Sequence, residues 1–433
     1  MFDPTIGWAW DGPPPGSPAA TQARLLLLDS LGCALAGLLH DKPRAMAAAL
    51  APAFPGPLRL PFCPPLGPAG AAAVLAAAMP WDEANEGLAR AHGRPGLAVA
   101  PLALAALLQG ATLDEALAAF ALGYEVAGRA GEAWRLRPGM HVDGSWHALG
   151  AAAAAARLAG GDREAAARAV RVAACQVPFS LYAPIKAGMD GRNSYPAHAV
   201  LLGQLAAGSA LAGMDAPAGG FLEARELALG LTEPPPCAPV GEWLLAQAYI
   251  KPFAGVRHAH YAAAAALELR QQIPPGVEPE RLVLHTYAEA LRYAGNRAPG
   301  SAITAQFSLS WAVAAALAQG DLAPAAYADA ALADPALRRL EQRVELLEEP
   351  EWTAAGRRAA TLSAILPDGR RLSGTASSVA GDAERPMTPS AVANKLRRFL
   401  APGYPPGVAE ALMDLLHAAG DARPGAALLR ALA

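Results

Sequence analysis

The residue here whose type and setting most directly suggest proton chemistry is His147. It follows Asp143, Gly144, Ser145 and Trp146 and stands just ahead of an alanine run at 151–156. Alanine has the highest helix propensity and loses no side-chain entropy, so the run predicts a helix. The bulk-free run lets neighbouring helices approach closely, which predicts a central position. Asp143 or Ser145 can cap the helix start, which places His147 in or near its first turn. There the unpaired N–H groups and the helix dipole favour an anion and disfavour imidazolium. A neutral histidine beside a place for a carboxylate can act as a general base. The same residue also fits a core histidine bonded to a backbone carbonyl.

The elements that must position it are mostly helical. Apolar, alanine-rich stretches predict helices at 18–39, 41–50, 68–79, 97–110, 113–131, 163–176 and 199–213. Asp114 and Glu115 fall where a first helical turn favours acids. Between these lie polar interruptions at 81–96 and 177–198, and interruptions are where function concentrates. Near residue 275 the pattern changes. Residues 281–287 and 343–347 read as strands, and 359–373 as a hairpin turning at Pro367-Asp368-Gly369. A helix at 304–319 separates them, and helical patterning resumes at Pro389. The expected fold is mainly α: an all-helical domain from 1–254 and 388–433, with a smaller α+β domain at 255–387 inserted before the C-terminal helices.

Composition narrows the function. With 433 residues the chain exceeds one ordinary core. A hydrophobic fraction of 53% against 17% charged excludes a disordered chain. Net charge −3 and a pI near 6.3 leave no electrostatic footprint for nucleic acid. No apolar run is long enough to span a bilayer, and residues 1–16 do not resemble a secretory signal. Cys33, Cys63, Cys175 and Cys237 lack metal-ligand spacing and read as buried thiols of a cytoplasmic protein. His258 and His260 are two apart, so on a helix they face different ways and make no metal pair. The segment GMDGRN at 188–193 lacks the context of a phosphate loop, and no cofactor is implied.

Seven segments, in order, resemble the MmgE/PrpD family, which includes 2-methylcitrate dehydratases, cis-aconitate decarboxylases and iminodisuccinate epimerases. They are LLLLDSLGCALAGL at 25–38, GYEVAGRAGEA at 123–133, GSWHALGAAAAAARLAGGD at 144–162 and KPFAGVRHAHYAAAAAL at 251–267. FSLSWAVAAALAQGDL at 307–322, LPDGRRLSG at 366–374 and GDAERPMTPSAVANKLRRF at 381–399 complete the set. The resemblance implies a large helical domain, an α+β lid, an active site between them and a homodimer. It implies that His147 matches the catalytic histidine, Lys251 the lysine opening the lid-side motif and His260 its later histidine. Arg192 falls about where the family has a substrate-binding lysine.

The chain also departs from that pattern. The family's Asp-Phe-Asp-Asp-Thr becomes Pro80-Trp81-Asp82-Glu83-Ala84, which keeps only the two paired acids. Its later histidine becomes Arg94, with His92 two residues away; a cysteine or histidine becomes Val256, and a tyrosine becomes Trp311. The family's reactions share removal of a proton next to a carbon acidified by carboxylates, with cations stabilising the enolate-like charge. The expected base is then His147, and the expected carboxylate clamps are Arg192 and Lys251, with Arg257 or Arg94 as extras. Expected proton donors are Lys251, His258 and His260; Asp82 is a further catalytic candidate, and His92 and Trp311 are substrate contacts. Three readings stay open: a lyase acting on a small carboxylic acid, an isomerase or epimerase, and a catalytically silent relative that binds such an acid.

Overall fold

The computed structural model describes residues 1–382, 384–425 and 427. The helix His147–Leu158 lies among the helices Leu113–Ala133, Arg163–Ala174 and Tyr195–Leu211, packed against all three. Small residues make this possible. A Cβ on Gly150 would sit 2.3 Å from the Gly123 carbonyl oxygen, and one on Gly203 would meet the Ala151 Cβ at 2.5 Å. The two backbones therefore touch with no side chain between them, and Gly150→Ala is expected to cost about 1–3 kcal/mol through overpacking. A lowered thermal midpoint checks this; an unchanged midpoint would mean the helices can part freely.

The helix starts follow local chemistry. Thr112 and Glu115 form a reciprocal capping box at the start of Leu113–Ala133. Ser17 caps Pro18–Gly37, where proline occupies the first helical position. The expected cap of His147–Leu158 is not found. Trp146 stands at the cap position without a side-chain bond, because Ser145 Oγ donates to the Val142 carbonyl and Asp143 is drawn to Arg94.

The main sheet falls within 255–387. After two short paired strands, β1 (Met140–His141) and β2 (Ser180–Leu181), come β3 (Arg281–Thr286), β4 (Val344–Glu348), β5 (Ala360–Ile365) and β6 (Arg371–Ala376). The last four make one sheet in the order β4-β3-β5-β6, parallel only between β3 and β4. Alternate residues Leu282, Leu284, Leu362 and Ala364 are buried, and the helix Arg257–Arg270 packs on β5 and β6. Gly374 permits that approach, since a Cβ there would lie 2.2 Å from the Ala265 carbonyl oxygen. The helix expected at 304–319 divides into Ala302–Gln306 and Leu309–Gln319, because Ser308 turns extended and caps the second piece through the Trp311 N–H.

The chain's C-terminal helices return to its first long helix. Both Pro389–Leu400 and Val408–His417 pack on Pro18–Gly37. The contact is pinned by a buried ion pair, Lys395 Nζ to Asp29 Oδ1 at 2.5 Å. The molecule is mostly helical with small sheets, and no single described helix is long and apolar enough to cross a membrane. The expectation of four buried cysteines is corrected. Cys33 is buried, Cys63 is half-buried, and Cys175 and Cys237 are exposed, at a helix end and in a proline-rich loop.

Candidate active site

The polar island at 81–96 forms turns rather than a helix, so its backbone groups need partners elsewhere. Trp81, Asp82, Glu83, Ala84 and Gly87 find backbone partners on distant segments, and Asn85 and Glu86 are held through their side chains. The Trp81 carbonyl accepts from Gln306 Nε2 (2.9 Å), that of Asp82 from the Gly255 N–H (2.9 Å) and that of Ala84 from Lys395 Nζ (2.7 Å). Asn85 accepts from Arg94, Glu86 accepts from Tyr124 and from the Gly96 N–H, and Gly87 exchanges both backbone bonds with Tyr249. This lacing brings residues 249–256, and with them Lys251, against the island. It also holds Glu83 at φ +52°, a left-handed conformation uncommon for a side chain of this size.

Three cations meet on the Glu83 carboxylate. Arg94 Nη1 donates to both oxygens at 3.1 Å. Lys251 Nζ lies 3.2 Å from Oε2 and donates to the Glu83 carbonyl at 2.7 Å. Arg192 closes an ion pair with Oε1 without hydrogen-bond geometry. Asp143 is the second anion, paired with Arg94 and 3.7 Å from Arg192. All five side chains are buried. Burial alone would raise the Glu83 carboxyl, but the charges of Arg192, Arg94 and Lys251 overturn this and hold it well below the usual range. Asp143 is likewise lowered: burial opposes ionisation, and Arg94 together with His141, His147 and Arg192 outweighs it. Burial pushes the Lys251 ammonium down to about 8 against the pull of Glu83, with Arg94 adding to the drop.

His147 opens its helix beside this cluster. It is wholly buried, with its ring stacked on Trp146 at 3.8 Å and 11°. Neither ring nitrogen has a hydrogen-bond partner among the described residues; the Arg94 backbone lies near without reaching bonding geometry. Burial lowers the imidazole to about 4, opposed by Asp143 and assisted by Arg94, so it is neutral at pH 7. The first cause of this lowering is burial, not the helix dipole invoked from the sequence. Asp143 Oδ1, Arg192 Nε and both side-chain polar atoms of Asn193 are also buried without partners among the described residues. Unpartnered buried donors and acceptors cost about 1–3 kcal/mol each, and those of His147, Asp143 and Arg192 belong to the cluster and its neighbouring imidazole.

Of the residues singled out from the sequence, Arg94, Arg192 and Lys251 converge, with His147 alongside. Asp82 turns away: its Oδ1 faces His40 Nε2 at 2.9 Å. Arg257, His258 and His260 sit at the start of the next helix with partners of their own. Arg257 pairs with Asp382 and lies over the Tyr249 ring; His258 Nδ1 meets the Tyr287 hydroxyl at 2.7 Å. His260 Nε2 donates to the Gly255 carbonyl at 3.0 Å, which locks the ring. His92 is exposed at φ +49°. Trp311 is corrected as a substrate contact. It is fully buried, donates to the Ala326 carbonyl and packs under Arg338. Glu83, Asp143 and His141 were not singled out as site residues. His141 Nδ1 accepts from the Asp143 N–H at 3.0 Å, and its ring stacks on Tyr182. The signal that could have found Glu83 is general: buried cations require a counter-ion.

Two family models match the chain. The one described as the MmgE/PrpD N-terminal domain covers residues 11–232, and the one described as the MmgE/PrpD C-terminal domain covers residues 253–418. No curated protein matches it.

Proposed function

Because the chain belongs to the MmgE/PrpD family, we propose that it is a cofactor-independent lyase acting on a small carboxylic acid by α-proton abstraction. Members of this family are generally enzymes such as dehydratases. The observation that carries the reading is His147: a buried, neutral imidazole with two unpartnered nitrogens, placed beside three convergent cations. In this reading His147 takes the α-proton. Arg192 and Arg94 hold the carboxylate and stabilise the enolate-like charge. In an elimination Lys251 protonates the departing hydroxide, which leaves as water; in a decarboxylation no α-proton is taken, the C–CO2 bonding pair stays on the carbon, and Lys251 protonates that carbon. Residues 255–387 act as a lid, and the working unit is a cytoplasmic homodimer.

The pH profile tests these roles together. His147 works neutral, so activity falls as pH drops through about 4; Lys251 works protonated, so activity falls as pH rises through about 8. The expected kcat/KM profile is a bell between those limits, with circular dichroism at each pH separating titration from unfolding. A rate still rising above pH 9 would remove Lys251 as the acid. Products are read as an alkene absorbing in the ultraviolet, or as CO2.

An isomerase or epimerase is the second reading. It is favoured by the attachment of two proton-handling groups, His147 and Lys251, to one cluster. Deuterium entering the substrate α-carbon from D2O without net elimination selects it.

A further inference from the structure

The helix that His147 opens has polar groups without partners at its other end as well. Arg157 and Leu158, in its last turn, line a cleft of about 700 Å³ together with the helices Ala100–Leu108, Leu113–Ala133 and Tyr195–Leu211. That volume falls within the roughly 300–1,000 Å³ usual for small-molecule sites. Ten residues separate Arg157 from His147, about 15 Å along a helix that rises about 1.5 Å per residue. The cleft and the cation cluster are therefore different places.

The walls are apolar, with Leu102, Leu158 and Leu211 standing among alanines. Two polar side chains interrupt them, and each holds a buried atom without a partner among the described residues: Arg157 Nε and Gln204 Oε1. The Arg157 guanidinium lies over the Trp10 ring at 4.9 Å, a contact that uses none of its hydrogen-bond donors. The acids that act on it are engaged elsewhere, Asp11 with Arg163 at 3.1 Å and Glu115 with the Thr112 N–H and hydroxyl. Helix C-termini disfavour an anion, and three of these helices end here. Each closes on a left-handed glycine, Gly110, Gly160 or Gly213. The following N–H groups take up carbonyls of the last turns, Ala111 that of Ala106, Gly161 that of Ala156 and Met214 that of Ser209. A second cation in the lining, Arg423, donates to the Gly110 carbonyl. What still seeks a partner in the cleft is one guanidinium and one amide.

We propose that this cleft binds a small carboxylate carrying an apolar chain, at a site separate from that of the reaction. The carboxylate accepts from Arg157 in a charge-assisted hydrogen bond. The Gln204 amide can turn its nitrogen to the same head group, and the chain lies along the leucines and alanines. None of this depends on the lyase reading.

Calorimetric titration of the wild-type chain at pH 7 with octanoate, octan-1-ol, octylammonium and acetate tests it. Octanoate is expected to bind about tenfold or more tighter than each of the others. No binding of octanoate overturns the proposal outright. Octan-1-ol or octylammonium binding as tightly overturns the anionic part, and acetate binding as tightly overturns the apolar part. Two variants locate the ligand. Arg157→Met removes the charge; Gly208→Leu takes up the room, since Gly208 is in the lining and a Cβ there meets nothing within 4 Å. Each should weaken octanoate by about tenfold or more, while Lys251→Met, in the cation cluster, should leave it unchanged. Octanoate binding that survives both cleft variants, or that is lost in a folded Lys251→Met, overturns the proposal. Should one cleft variant not fold, the other decides.

Discussion

His147→Ala lowers turnover of the accepted acid by about 10²-fold or more, the usual contribution of a positioned general base. The loss is expected to be kinetic rather than structural. The imidazole makes no hydrogen bond among the described residues, so its removal strands no partner. What it leaves is a gap against Trp146 and the alanine helix, which the small neighbouring residues only partly close. His147→Gln serves as the control for shape, because it keeps a polar side chain there that cannot accept a proton at neutral pH; it should lose as much rate as alanine. Deuterium exchange at the substrate α-carbon separates the two proton-handling groups. If His147 is the base, exchange disappears in both variants and survives Lys251→Met. Wild-type turnover in His147→Ala would remove this residue from the mechanism.

Most of the helical framework was legible in the sequence because alanine and leucine runs carry helix propensity that tertiary contacts here reinforce. The hairpin at Asp368-Gly369 was legible for a similar reason: Gly369 takes φ +83°, and the turn residues announce it. What escaped depended on single side chains choosing distant partners. Ser308 interrupts a helix by capping its continuation, and Asp143 abandons a cap for Arg94, 49 residues away in sequence. Two-residue strands such as β1 and β2 have no periodicity to read.

The site divides along the same line. His147 could be named from its local setting, and Lys251, Arg192 and Arg94 from the positions that the family resemblance gives them; the three cations meet on one carboxylate, with His147 alongside. Glu83 could not be ranked above Asp82, because adjacent acids differ only in which way the turn sends them. The backbone at Glu83, with its positive φ, directs one carboxylate to three cations and leaves its neighbour to His40. Trp311 shows the opposite error. A position suggested by resemblance proved to be hydrophobic core, where a tryptophan's bulk is satisfied by packing and one carbonyl.

Glu83→Gln is expected to be the most damaging change of charge in the molecule. It keeps the side-chain shape but removes the carboxylate that Arg94, Arg192 and Lys251 share, leaving Asp143 paired with the two arginines alone. Breaking a buried ion pair from one side typically costs about 3–5 kcal/mol, and the apparent unfolding midpoint at pH 7 should fall accordingly. The pH dependence fixes the cause. The native Glu83 carboxyl is held well below its unfolded value, so its contribution is fully present above about pH 4.3 and is lost as pH falls through the native value. Wild type and variant should therefore differ most near neutrality and converge in acid, where both lack the charge. Lys251 supplies a second readout. Without Glu83 to favour its ammonium, burial and Arg94 act unopposed, so the basic limb of the activity profile should move below about 8. A variant as stable as wild type at pH 7, with that limb unmoved, would mean that the three cations do not depend on Glu83, and the ion pairing assigned to the site would have to be redrawn.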